Sequence, residues 1–128
     1  MPIVVVAADT DELRAMAFAL RHAVFVEEQA VPVALDGTSC VGTGRLVRHG
    51  EGVGRVGRMA VDRAHRRQGI GDRVLEALEA RARAEGLREI ELHAQCYVEA
   101  FYLGHGYARR GEEFEEAGIA HVVMRKAL

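Results

Sequence analysis

Between Val53 and Glu85 the chain changes its apolar period. Val53 to Val61 reads as a strand, and Asp72 to Glu85 reads as a helix whose stripe is Val74, Leu75, Leu78 and Ala82. The joint between them holds Arg66, Arg67, Gln68, Gly69, Ile70 and Gly71, so two glycines stand two residues apart at the head of the helix. Glycine at such a place lets backbone amides approach a ligand with no side chain intervening. A helix N-terminus adds free N–H groups and the positive end of a dipole, and Arg66 and Arg67 add fixed charge. One reading is a pyrophosphate cradle. The other is a plain strand–turn–helix joint with basic surface residues, and glycine spacing alone does not choose between them. No Gly-Lys-Ser/Thr follows the glycines, which argues against a P-loop nucleotide site.

The rest of the chain frames this joint. Ile3-Val4-Val5-Val6-Ala7 is a continuous apolar run, expected as a strand buried on both faces. Asp9 with Glu12 resembles a capping box, and Leu13, Met16, Ala17 and Leu20 follow at helical spacing. Asp36-Gly37 is a hairpin signal between Val33-Ala34-Leu35 and the run Cys40 to Val47. Residues 49–52 form a second turn. Gly86 should end the long helix, on which Glu79 and Arg83 are expected to pair on the wet side. Glu89 to Ala94 alternates, with Ile90, Leu92 and Ala94 on the buried face. Val98 to His105 reads as a short helix, the Glu112, Glu113, Glu115 and Glu116 run as a solvated loop, and Ile119 to Lys126 as a closing strand. This order of elements implies α/β architecture built on a single mixed sheet.

Composition excludes several classes. The 128 residues amount to one domain, long enough to bury a core without staples. A formal net charge of −2 gives no basic field for nucleic acid. No apolar run approaches the roughly 20 residues needed to span a bilayer. Cys40 and Cys96 form no disulfide framework, and with no secretory signal at Met1-Pro2-Ile3 they read as cytoplasmic thiols. The six histidines are scattered and form no metal cluster.

Arg66-x-x-Gly69-x-Gly71, preceded by Arg58-Met59-Ala60-Val61, resembles the coenzyme A motif of the GNAT acyltransferases. Further on, Gln95 stands seven residues before Tyr102, and Gly106-Tyr107 follows, which resembles the second signature of that superfamily. Val24 to Gln29, Gly42 to Leu46, Glu91 to Gln95 and Gly118 to Arg125 resemble its ElaA-like branch. The resemblance covers the chain from about Leu13 and treats residues 1–128 as a single domain of the GNAT fold, a mixed central β-sheet with helices on both faces.

The resemblance implies an acetyl-CoA-dependent N-acyltransferase in which a primary amine, on a small molecule or a peptide, attacks the acetyl thioester directly. Acetyl-CoA is then the co-substrate and no metal takes part. Met59, Ala60 and Val61, after a bulge in the fourth strand, would hold the pantetheine and polarise the thioester carbonyl. Residues 66–71 would hold the pyrophosphate, with Asp72 opening the helix and its carboxylate turned away; Gln95 joins the cofactor set. Tyr102 matches the tyrosine that donates to the departing thiolate, though an aromatic core residue beside Phe101 is the plainer reading. His93 is the favoured base on ordinary pKa, with Glu27 and Glu28 as alternatives; a lone histidine on a strand is also commonly structural. Cys96 has no fixed basic partner that would make it a nucleophile. A homodimer is among the assemblies the resemblance allows; nucleic acid and membrane are not expected partners.

The chain also departs from the pattern. Where ElaA-like proteins carry an acidic loop and a full second strand, Val31-Pro32 runs straight into Val33. The expectation drawn from this is a physical break between Pro32 and Val33. The missing part would belong to the acceptor pocket, which keeps a second reading open: a non-catalytic GNAT-fold module that binds acyl-CoA as a sensor or partner. The usual proline after the fourth strand is replaced by Asp62-Arg63, with little expected consequence.

Overall fold

The computed structural model describes residues 3–7, 13, 32–36 and 39–128. Seven strands form one mixed sheet: β1 (Ile3–Ala7), β2 (Pro32–Asp36), β3 (Ser39–Arg48), β4 (Val53–Val61), β5 (Glu89–Gln95), β6 (Ala108–Glu116) and β7 (Ile119–Ala127). Helix α1 (Ile70–Ala84) joins β4 to β5, and α2 (Glu99–Gly104) lies between β5 and β6. The strand order is β1-β2-β3-β4-β5-β7-β6. The β4–β5 pair is parallel, as a helical crossover requires, and the other pairs are antiparallel.

Helix α1 packs on β1 to β4 and supplies much of the core. Val74, Leu75, Leu78 and Ala82 are fully buried, together with Leu46, Ile90, Leu92 and Met124 from the strands. Each leucine so buried contributes roughly 2–3 kcal/mol. The helix comes this close because β3 carries glycines beneath it. A Cβ at Gly42 would lie 2.7 Å from Ile70 Cγ2, and one at Gly44 would lie 2.9 Å from Leu78 Cδ1.

Several expectations are corrected. Helix α1 begins at Ile70, two residues earlier than read, while Gly86 follows its end in the left-handed region at φ +78°. Glu79 does not pair with Arg83 on the wet side. It stands four residues after Leu75 and so falls on the buried stripe, where it accepts from the Tyr107 hydroxyl at 2.8 Å and from Lys126 Nζ at 3.1 Å. The glutamate-rich run at 112–116 is no loop but the end of β6, an exposed edge strand whose charges suit an edge. β1 is likewise an edge strand, and its Val5 is half-buried against the core.

Nor is there a break between Pro32 and Val33. They are successive residues of β2, in register with Ala7 and Val6 of β1. The Asp36-Gly37 hairpin is reflected in the pairing of Asp36 with Ser39. Both described helices lie on one side of the sheet, since a Cβ at Gly71 of α1 would meet the Phe101 ring of α2 at 3.4 Å. The helix expected from Asp9 to Leu20 lies outside the described residues except for Leu13, which is helical; Glu27 and Glu28 also lie outside them.

Candidate active site

The site begins where two strands part. β4 and β5 pair from Val53↔Glu89 to Val56↔Leu92 and no further, although β4 continues to Val61 and β5 to Gln95. Beyond Val56, the backbone groups of β4 that face β5 therefore have no ladder partner there. The parting coincides with a bulge. Against β3, Thr43 pairs with Ala60 but Arg45 pairs with Gly57, so β4 carries one extra residue. Arg58 takes up the extra length at φ +56°, a left-handed conformation that costs a non-glycine residue roughly 1–2 kcal/mol.

The parted strands open a cleft of about 1130 Å³, lined by Met59, Ala60 and Val61 from the bulged strand and by His93 and Gln95 from β5. That is slightly larger than the usual small-molecule pocket of roughly 300–1,000 Å³. Tyr102 of α2 lines it too.

One end of the cleft is made by the turn before α1. Arg67 and Gly69 both have positive φ, +65° and +75°. The first helical bond runs from Arg73 N–H to the Gly69 carbonyl at 3.2 Å, so the amides of residues 67–72 stand ahead of the helical ladder. A Cβ at Gly69 would meet nothing nearer than Asp72 Oδ2 at 3.8 Å. The glycine is thus required by backbone conformation, with open space before it. Gly71 faces the Phe101 ring, which a Cβ there would meet at 3.4 Å, an ordinary contact distance. Ile70 offers only its backbone, because its side chain is buried in the core. Arg66 lines the cleft while its Nε donates to the Val61 carbonyl at 3.2 Å, and Gln68 does not line the cleft. The Asp72 carboxylate is held by His105 Nε2 at 2.6 Å, which draws its charge to the end of α2.

Tyr102 is buried, with ring centroids 5.0 Å from Phe101 and 5.8 Å from Tyr107. Its hydroxyl makes no hydrogen bond to any described residue. Burial pushes its pKa up to about 12, so it stays protonated across the physiological range. A salt bridge from Arg109 to Glu99 fixes the start of α2, and the guanidinium holds the Glu99 carboxyl below its ordinary value. Burial, then the nearby Glu113, pushes the Cys96 thiol up, which disfavours the thiolate a nucleophile would need.

The opposite end was only half legible. His93 lines the cleft, and so do Glu116 of β6 and His121 of β7, neither of which the sequence singled out as a base. Glu116 Oε1 lies 3.2 Å from His93 Nδ1, and its Oε2 lies 3.6 Å from His121 Nε2. Gln95 is paired with His121 across the β5–β7 ladder. Beside this group Glu91 accepts from Arg55 at 2.8 Å and from Arg125 at 3.0 Å; Arg55 first, then Arg125, hold the Glu91 carboxyl below its ordinary range against the opposing effect of burial. Among the described residues no group of three or more His, Cys, Asp or Glu side chains is arranged to hold a metal ion, and no helix is long and apolar enough to cross a membrane.

Comparison with known proteins agrees with this architecture. Residues 10–128 match the acetyltransferase (GNAT) domain family. YjcF of Bacillus subtilis, an uncharacterised N-acetyltransferase, is 37% identical over 95% of this chain and 97% of its own length. That alignment spans 138 residues against the 128 of this chain, so YjcF carries residues that this chain lacks. The crystal structure of a Lactobacillus plantarum protein superposes with a TM-score of 0.88 at 29% identity, covering 100% of this chain and 99% of that one. Escherichia coli ElaA, at 20% identity, shares the fold with a TM-score of 0.79 over 98% of each chain. The chain belongs to the GNAT acetyltransferase family.

Proposed function

We propose that this chain is an N-acetyltransferase that moves an acetyl group from acetyl-CoA to a primary amine of a small molecule or peptide by direct attack. The observation that carries the reading is convergence. One cleft is lined by the bulged segment of β4 beyond its pairing with β5, the glycine turn ahead of α1, and a buried tyrosine whose hydroxyl bonds to no described residue. The reading takes residues 1–128 as one catalytic domain acting in the cytoplasm.

Acetyl-CoA supplies the activated thioester; the residues bind, orient and move protons. The amides of residues 67–71 receive the diphosphate, helped by Arg66 and Arg67; the Asp72 carboxylate lines the same cleft but is bound to His105. Met59, Ala60 and Val61 present backbone donors to the pantetheine and the carbonyl oxygen, and one well-aimed amide is worth ~3 kcal/mol to the developing oxyanion. Gln95 closes the cofactor side at the end of β5. His93 takes a proton from the incoming ammonium, freeing the lone pair that forms the N–C bond as the C–S bond breaks. Tyr102 gives its phenol proton to the departing sulfur and recovers one from the acylated nitrogen. That return matters: a phenol of pKa about 12 is a weaker acid than an ordinary thiol, so Tyr102 donates only if the loss is made good in the same step.

The test is release of free CoA from acetyl-CoA in the presence of a panel of amines. Amine-dependent release supports the reading. Tight acetyl-CoA binding with no release for any amine would replace it with the second reading, an acyl-CoA-binding sensor or partner module. The residues present in YjcF and lacking here favour that second reading.

A further inference from the structure

We infer that Glu116 is a positioning residue for proton removal: it bridges His93 and His121 and sets His93 as the base of the cleft, an assignment that rests on the acyltransfer reading above. The geometry carries it. A carboxylate only accepts, so the 3.2 Å contact between His93 Nδ1 and Glu116 Oε1 puts the imidazole proton on Nδ1 and leaves the Nε2 lone pair free. At His121, Nδ1 donates to the Ile119 carbonyl at 2.7 Å, which turns Nε2 toward the other oxygen of the same carboxylate at 3.6 Å. One carboxylate thus stands between two imidazoles, hydrogen-bonded to Nδ1–H of His93 and paired with His121 only when that ring is protonated.

The fold builds this arrangement on purpose-shaped strands. The β6–β7 register slips between Arg110 and Phe114, where Gly111 has φ +86°, and the strand resumes with Phe114 opposite His121. The slip puts Phe114 and Glu116 on the face that carries His121 and His93. The Phe114 ring stacks on His121 at 5.9 Å and meets His93 edge-on at 5.2 Å, which holds both rings. His121 is buried and the Glu116 side chain is half-exposed.

Among the described residues, the other charges around His93 do not substitute for Glu116. Glu91, two residues back on the same face of β5, is held by Arg55 of β4 and Arg125 of β7. Arg45 of β3 and Arg58 of β4 line the same cleft; as cations they oppose protonation of His93. Glu116 is the carboxylate in contact with the ring among the described residues. Replacing it by an amide, which can donate as well as accept, leaves the His93 tautomer unfixed.

Two measurements on Glu116→Gln, with Glu116→Asp as the conservative control, test this. Two-bond proton–nitrogen NMR on the imidazoles of the intact protein reads the tautomer without any acceptor. The expected result is an Nδ1–H tautomer for neutral His93 in the wild type and a mixture of both tautomers in Glu116→Gln. In the CoA-release assay, Glu116→Gln should lower kcat about tenfold, with Glu116→Asp between it and the wild type and acetyl-CoA affinity unchanged. An Nε2–H tautomer for His93 in the wild type, or a tautomer unchanged in Glu116→Gln, overturns the inference. Absence of amine-dependent release by the wild type would overturn the acyltransfer reading instead, and the NMR result would still decide whether Glu116 governs His93.

Discussion

The two ends of the cleft are made of different material. At the α1 end the groups offered to a ligand are backbone amides, held by Arg67 and Gly69 at positive φ within one short turn. At the β5–β7 end they are side chains, brought together from three strands that lie in the order β5-β7-β6. A backbone-built site depends on local conformation, so a few neighbouring residues specify it. A side-chain site assembled across strands depends on register, and a slip of one residue would turn Glu116 or His121 to the other face. Binding should therefore reside at the first end and proton chemistry at the second, with Tyr102 between them.

The sharpest way to break this division is Tyr102→Phe. Turnover should fall about 10²-fold while acetyl-CoA affinity by calorimetry stays within about twofold, because only a proton donor is lost. Equal loss of both would make Tyr102 a packing residue whose removal disturbs the whole cleft. Gly69→Ala should do the reverse. At φ +75° any side chain is strained whatever space lies ahead, so the turn should be destabilised by roughly 1 kcal/mol and acetyl-CoA affinity should drop several-fold, with kcat at saturation little changed. Intact affinity in a variant with a lower Tm would separate the turn from the diphosphate.

Acid sharpens the comparison next. The folded-state pKa of Glu91 is depressed by Arg55 and Arg125, so its contribution to stability is complete above its ordinary value of 4.5 and is lost as pH falls through the depressed value. Arg125→Ala should weaken that depression and move the acid-unfolding midpoint, followed by circular dichroism, upward by a fraction of a pH unit. No shift would mean that Arg55 alone holds Glu91. The smallest effect belongs to Gln68→Ala. Its side chain does not line the cleft, so acetyl-CoA affinity should change by less than about twofold. A larger loss would show that side chains as well as amides hold the ligand at the α1 end.

Legibility in the sequence followed the same line. The stripe Val74, Leu75, Leu78 and Ala82 and the apolar face of β5 were readable because each repeats over neighbouring residues, and the turn at Gly86 because glycine suits positive φ; Glu91, on the face of β5 expected to be polar, is instead buried between Arg55 and Arg125. Glu79 was misread because the charge was taken to fix its face. Its partners, Tyr107 and Lys126, are remote in sequence, and they make burial of that charge tolerable. The acidic run at 112–116 was misread for a related reason: its charges suit an edge strand as well as a loop, and only pairing with β7 distinguishes the two. His93 was a fair candidate from its ordinary pKa, but nothing local connected it to Glu116, which is distant in the chain.

The sequence by itself determined most of the elements and the backbone-built end: two glycines and two arginines mark the turn at the head of the helix from local conformation alone. The tertiary structure decided the rest. It parted β4 from β5 beyond Val56 and Leu92, and it slipped β6 against β7 so that Glu116 meets two histidines. The physical reason is that strand pairing and register are set by contacts between residues remote in the chain, and such contacts leave no period in the sequence.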